Sequence, residues 1–170
     1  MKPKESIQRQ PLTSYFVLAY GLPWVCILTL LATKGFRLAA VQPADASLMI
    51  LFQLLGPSVA GLLLTAMLEG RTGLRGLRQR FTRWRVAWPW YGVALLAVPL
   101  LTLAILSSFS TWLGPDYAPR GQLIGLGLGL LAGAFEETGW TGFATPRLLQ
   151  RFSPLKAGLL LGFLWPVGMA

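Results

Sequence analysis

Residues 123 to 143 read LIGLGLGLLAGAFEETGWTGF, and their only ionisable side chains are the adjacent Glu136 and Glu137. From Leu123 to Phe135 no residue carries a polar side chain. Such a run suits a helix solvated by lipid rather than by water. A charged side chain at that depth costs roughly 2.5–3.5 kcal/mol on insertion scales, so two of them require a wet, protein-lined pocket. The run thus sets the fold class, and the glutamates mark the candidate site.

The rest of the chain extends this reading. Of its 170 residues 54% are hydrophobic and 12% charged, against about 25% charged in soluble domains. Apolar stretches near 20 residues recur, and they predict spans over 15–33, 48–68, 88–108, 122–150 and 155–170, with Pro146 bending the end of the fourth. The expected fold is an all-α, polytopic membrane helix bundle with about five transmembrane helices. A cytoplasmic leader, 1–14, precedes a single membrane domain, 15–170. The apolar run after the leader is too long for a signal-peptide core and lacks a small-residue cleavage site, so it reads as a retained anchor. Cys26 is the only cysteine, which excludes an intrachain disulfide and a Cys-rich metal site, and histidine is absent.

Twelve of the fifteen Lys and Arg residues fall in the leader, in the loop after the second span and in the loop after the fourth. Loops rich in cations stay in the cytoplasm, so the N-terminus is expected there, in a bacterial plasma membrane, and the glutamates in the cytoplasmic half of their span. Within the second of these loops Leu74, Leu77, Phe81, Trp84 and Trp88 recur at helical spacing beside Arg71, Arg75, Arg78 and Arg85. That pattern is an interfacial amphipathic helix resting on anionic lipid. The net charge of +9 is accounted for by topology, and no nucleic-acid partner is expected.

Gly121, Gly125, Gly129 and Gly133 stand four residues apart, in register with Glu137, and Gly158 and Gly162 repeat the spacing. In lipid such stripes let helices pack closely, here against a neighbour that would hold the carboxylates in a narrow cleft. A dinucleotide loop is excluded, because no strand precedes these glycines and no acidic ribose ligand follows.

The segment Glu136-Glu137-Thr138-Gly139-Trp140-Thr141-Gly142-Phe143, then Pro146-Arg147-Leu148, then Phe152-Ser153-Pro154-Leu155-Lys156-Ala157 resembles the CPBP intramembrane metalloprotease family, also called the Abi or type II CAAX prenyl endopeptidase family. Leu55-Gly56-Pro57-Ser58 and Arg83-Trp84-Arg85-Val86 are similar to it too, so the likeness runs from about residue 50 onward. The resemblance implies peptide hydrolysis within the membrane, with Glu136 as general base, Glu137 as its orienting partner and a divalent metal, Zn²⁺, completed by histidines on later helices. Substrates would be peptides or prenylated peptides, in CAAX-type processing, bacteriocin maturation or self-immunity.

Two positions depart from the family pattern. Thr141 stands where the motif has arginine, and Met169 where the second motif has histidine, four residues after the aromatic Trp165. Arg147 lies more than a helical turn beyond the expected arginine. The two glutamates therefore fall short of the three protein ligands usual for catalytic zinc, so this chain alone is not expected to bind the metal. The family bundle has about eight helices, so the resemblance also implies a member cut short, with Gly168-Met169-Ala170 as an out-of-frame reading of Trp-His-Gly. Three classes of function follow: an intramembrane metalloendopeptidase that is incomplete or inactive as this chain, a non-catalytic relative that keeps a binding cleft, and a subunit of an ion-coupled transporter using the glutamate pair.

Overall fold

Proline occupies the first or second position of six of the seven α-helices among the described residues, where its missing N–H is not needed and its fixed φ suits the first turn. The structure, a computed structural model, describes residues 3–82, 85–120 and 123–169. The helices are α1 (Pro3–Arg9), α2 (Pro11–Thr33), α3 (Pro43–Phe81), α4 (Trp88–Trp112), α5 (Leu123–Gly139), α6 (Thr145–Leu149) and α7 (Pro154–Met169), with a π-helical turn at Trp140–Ala144 and short 3-10 turns at Leu38–Ala40 and Pro115–Tyr117. No strand occurs among the described residues. The protein is all-α, and α2, α3 and α4 are each long and apolar enough to cross a membrane.

Several boundaries differ from the sequence expectation. The leader is itself largely helical, and Pro11 rather than Tyr15 starts the first long helix. Helix α2 ends in a Schellman motif: Phe36 N–H donates to the Leu31 carbonyl and Gly35 N–H to that of Ala32, with Gly35 at φ +63°. The second span and the basic amphipathic segment form one 39-residue helix, α3, interrupted at Gly70, whose φ of 63° and ψ of −148° redirect the chain without a clash. Beyond Gly70, Leu77 is buried while Arg71, Arg75, Arg78 and Arg80 are exposed. The arginines and Leu77 follow the expected amphipathic pattern, whereas Phe81 is exposed and Trp88 is exposed at the start of α4; Arg83 and Trp84 lie outside the described residues. The helical path from Leu123 continues to Leu149, as expected of the fourth span. Pro146 cannot donate to the carbonyl four residues back, and the distortion upstream of it takes the form of the π turn. There Thr145 N–H reaches the Trp140 carbonyl.

The chain divides into two compact units, residues 1–78 with 130–170, and residues 79–129. In the second, α4 has almost all its described side chains exposed, among them Trp88, Leu95 and Leu101, and the Phe109 and Tyr117 rings meet edge to face at 6.1 Å. The first unit holds the core, built from Leu12, Tyr15 and Ala19 of α2, Ala60 and Leu64 of α3, Trp140, Phe143 and Ala144 of the π turn, Leu148 of α6 and Ala157 of α7. Tyr15 is at its centre, stacked on Phe143 at 5.2 Å and edge-on to Trp140 at 5.7 Å.

Backbone-to-backbone approach in this unit depends on three glycines. Pro23 deprives the Ala19 carbonyl of its helical donor, and Gly56 of α3 packs there: an added Cβ would lie 2.7 Å from that oxygen. Farther along, Gly61 faces Gly139, where an added Cβ would stand 3.0 Å from the Gly139 Cα, and a Cβ on Gly139 would fall onto the Pro57 carbonyl and the Tyr15 hydroxyl. Of the expected glycine stripe, Gly129 and Gly133 do not make this contact. Gly127, Gly129 and Gly133, like Gly158 and Gly162, have nothing within 4 Å of an added Cβ, because the side of α5 that meets α3 is the one carrying Gly139. Gly121 lies outside the described residues, and the surroundings of Gly125 are likewise outside the description.

Candidate functional site

Successive residues on an α-helix are rotated by about 100°, so adjacent glutamates cannot face the same surroundings. Glu136 is turned inward and is 8% exposed, whereas Glu137 is exposed. The Trp165 indole of α7 donates its Nε1–H to Oε2 of Glu136 at 3.0 Å. The Thr141 hydroxyl, one turn after Glu137, donates to the Glu137 carboxylate and lies 2.7 Å from the Glu137 carbonyl oxygen. Thr141, at the position expected to hold arginine, thus supplies a hydrogen bond without a charge.

Glu137, Trp140 and Thr141 line a cavity of about 420 Å³ with Gly158, Leu161, Gly162 and Trp165 of α7. The glycines of α7 therefore border open space instead of a packed helix. Trp140 contributes from a nearly closed position, 3% exposed, and its Nε1–H has no hydrogen-bond partner among the described residues. The hydroxyls of Tyr15 and Ser58 are buried in the same condition.

Arg147 is committed elsewhere. Its guanidinium pairs with Glu69 of α3, donates to the Phe143 carbonyl at 3.0 Å and lies 3.6 Å from the Phe143 ring centroid. The pair joins α6 to α3 one residue before the Gly70 break. Helix α7 is fastened a second time by Tyr20 of α2, whose hydroxyl donates to the Leu164 carbonyl at 2.6 Å.

Of the site residues read from sequence, Glu137 and Thr141 line one cavity, whereas Glu136 is buried outside its lining and is linked to it through Trp165. Met169 is the last residue of α7, and its side chain lies outside the described residues. Tyr15, Tyr20 and Glu69 were not singled out from the sequence, although hydroxyl-bearing aromatics in an apolar span and a lone acid beside a glycine were visible there. As donors for a divalent metal this site offers two carboxylates, each already accepting a hydrogen bond; no group of three His, Cys, Asp or Glu side chains placed to hold a metal occurs among the described residues. This donor set does not fit a three-ligand zinc site. No family model, curated protein or solved structure matches the chain.

Proposed function

We propose that the chain is a CPBP-type intramembrane protein whose cleft at Glu137 and Thr141, with Glu136 buried behind Trp165, receives a peptide, prenylated or not, at the cytoplasmic side of a bacterial plasma membrane. The observation that carries the reading is the Trp165–Glu136 hydrogen bond. It joins the Glu-Glu-x-Gly-Trp segment to the aromatic at the start of the second family motif, two stretches that the resemblance implies must meet in one site. The adjoining cavity, about 420 Å³, falls in the range of clefts that enclose small ligands or single peptide side chains.

The division of labour follows from exposure. Glu136, buried and held by the Trp165 indole, is on this reading the proton acceptor, in touch with the cleft through Trp165. Glu137, exposed and fixed by Thr141, can meet the ligand directly. The described residues supply no third ligand for a metal, and on this reading the chain by itself binds peptide without cleaving it.

The test is binding and turnover by the purified chain in neutral detergent, using a fluorescent farnesylated CAAX peptide, anisotropy and mass spectrometry. Saturable binding is expected, weakened about tenfold or ~1.4 kcal/mol by Glu137→Gln, with intact peptide recovered. Cleavage lost in Glu136→Gln would make the chain an enzyme in its own right. Absence of peptide binding together with cation flux lost in Glu136→Gln would establish the ion-coupled reading instead.

A further inference from the structure

We infer that the cavity beside Glu137 takes a single organic cation, the ammonium or guanidinium group of a basic side chain on the incoming peptide. The inference rests on the peptide reading and names the chemistry of the residue received. Its physical basis is a missing counter-charge. Ionisable groups within membrane spans are paired with one another or with backbone carbonyls, yet Glu137 is joined only to the neutral Thr141 among the described residues, and Glu136 only to the neutral Trp165.

The nearest candidate within the chain is already engaged. Arg147 is held by Glu69, the Phe143 carbonyl and the Phe143 ring, and no Lys or Arg lines the cavity. Among the described residues the side-chain bonds to these two carboxylates thus come from a hydroxyl and an indole.

The remaining lining matches the same ligand class. The indoles of Trp140 and Trp165 border the cavity together with Glu137, and an ammonium or guanidinium is attracted to an indole face within about 6 Å, more strongly where water is excluded. Gly158 and Gly162 supply wall without side chains, so an aliphatic stem can lie along α7 while its charged end reaches Glu137. A neutral or acidic ligand would leave the carboxylate unpaired.

The experiment uses the full chain in nanodiscs of phosphatidylcholine, titrated calorimetrically with decylammonium and with decanol, empty nanodiscs providing the partitioning baseline. The same chain is titrated with two farnesylated peptides that differ only in lysine against norleucine. Saturable binding of decylammonium above baseline is expected, weakened at least tenfold in Glu137→Gln and unchanged in Asp116→Asn, with lysine preferred to norleucine. Glu137→Gln is isosteric and exposed, and circular dichroism checks that it folds. Equal affinity for the two peptides, or decylammonium binding indifferent to Glu137→Gln, overturns the cation inference and leaves peptide binding standing. Decylammonium binding without binding of either peptide keeps the cation site and overturns the peptide reading.

Discussion

The Trp165 indole and the Glu136 carboxylate, 29 positions apart, meet at 3.0 Å, so α7 satisfies a carboxylate that α5 carries into the protein interior. Removing Trp165 alone leaves the buried Glu136 carboxylate short of its bond, whereas removing both partners leaves no buried group unpaired. Trp165→Phe is expected to destabilise the chain by about 1–3 kcal/mol, read as unfolding in detergent, and Glu136→Leu with Trp165→Phe to recover most of that loss. Additive losses in this double-mutant cycle would show that the bond carries no coupling.

Glycine substitutions separate the packed glycines from Gly129 and Gly133, whose added Cβ meets no neighbour. Gly139→Ala places a methyl group on the Pro57 carbonyl and the Tyr15 hydroxyl, and the two helices must part, at about 1–3 kcal/mol. Gly129→Ala and Gly133→Ala meet open space and gain up to about 1 kcal/mol from helix propensity. Thermal melts of the three variants decide the matter; a Gly133→Ala loss as large as that of Gly139→Ala would mean that another surface covers the stripe.

These glycines show where sequence reading ends. The uninterrupted helix through Glu136, the amphipathic turn of Leu77 against its arginines and the inability of Arg147 to reach the glutamates were all legible, because each follows from local spacing. Which glutamate is buried was not. That depends on Trp165 of α7 and on the Tyr15–Phe143–Trp140 stack, contacts between elements far apart in the chain. In a soluble helix a polar face would have pointed the way, but a helix apolar on every side gives no such sign. For the same reason the most regular glycine pattern drew attention while the isolated Gly56, Gly61 and Gly139 make the close approaches.

Arg147 and Glu69 supply a third prediction. The ion pair is half-exposed on the glutamate side, so Glu69→Gln is expected to lower stability by no more than about 1 kcal/mol. Arg147→Gln also loses its place over the Phe143 ring and its bond to the Phe143 carbonyl. It should therefore exceed Glu69→Gln by about 0.5–1 kcal/mol. Denaturant titration of both variants compares them, and equal losses would assign the whole effect to the ion pair.

The uneven placement of basic residues predicts a cytoplasmic N-terminus. In a Cys26→Ser background, a cysteine at Ser6 or Thr72 should resist an impermeant thiol reagent applied to intact cells, and one at Asp116 should react. The opposite labelling pattern would invert the topology and place the glutamate cleft on the outer side.

Asp45 provides the pH-dependent case, standing in the first turn of α3 ahead of the apolar run that begins near Leu48. The backbone N–H of Gln42 donates to its Oδ2 at 2.8 Å, and the Lys34 ammonium lies 3.0 Å from the same oxygen. The bond from Gln42 first, and Lys34 second, hold this carboxyl below its ordinary value. A group whose folded value is depressed stabilises fully above the unfolded value, about 3.9, and that contribution is lost as pH falls through the lower folded value. Asn at this position can still accept the Gln42 bond but carries no charge. Melting temperatures of the native chain and Asp45→Asn should therefore differ at pH 7, with the native chain higher, and converge as the pH is lowered from about 4 toward 2. A gap that stays constant over that range would show that the charge on Asp45 contributes nothing to the start of α3.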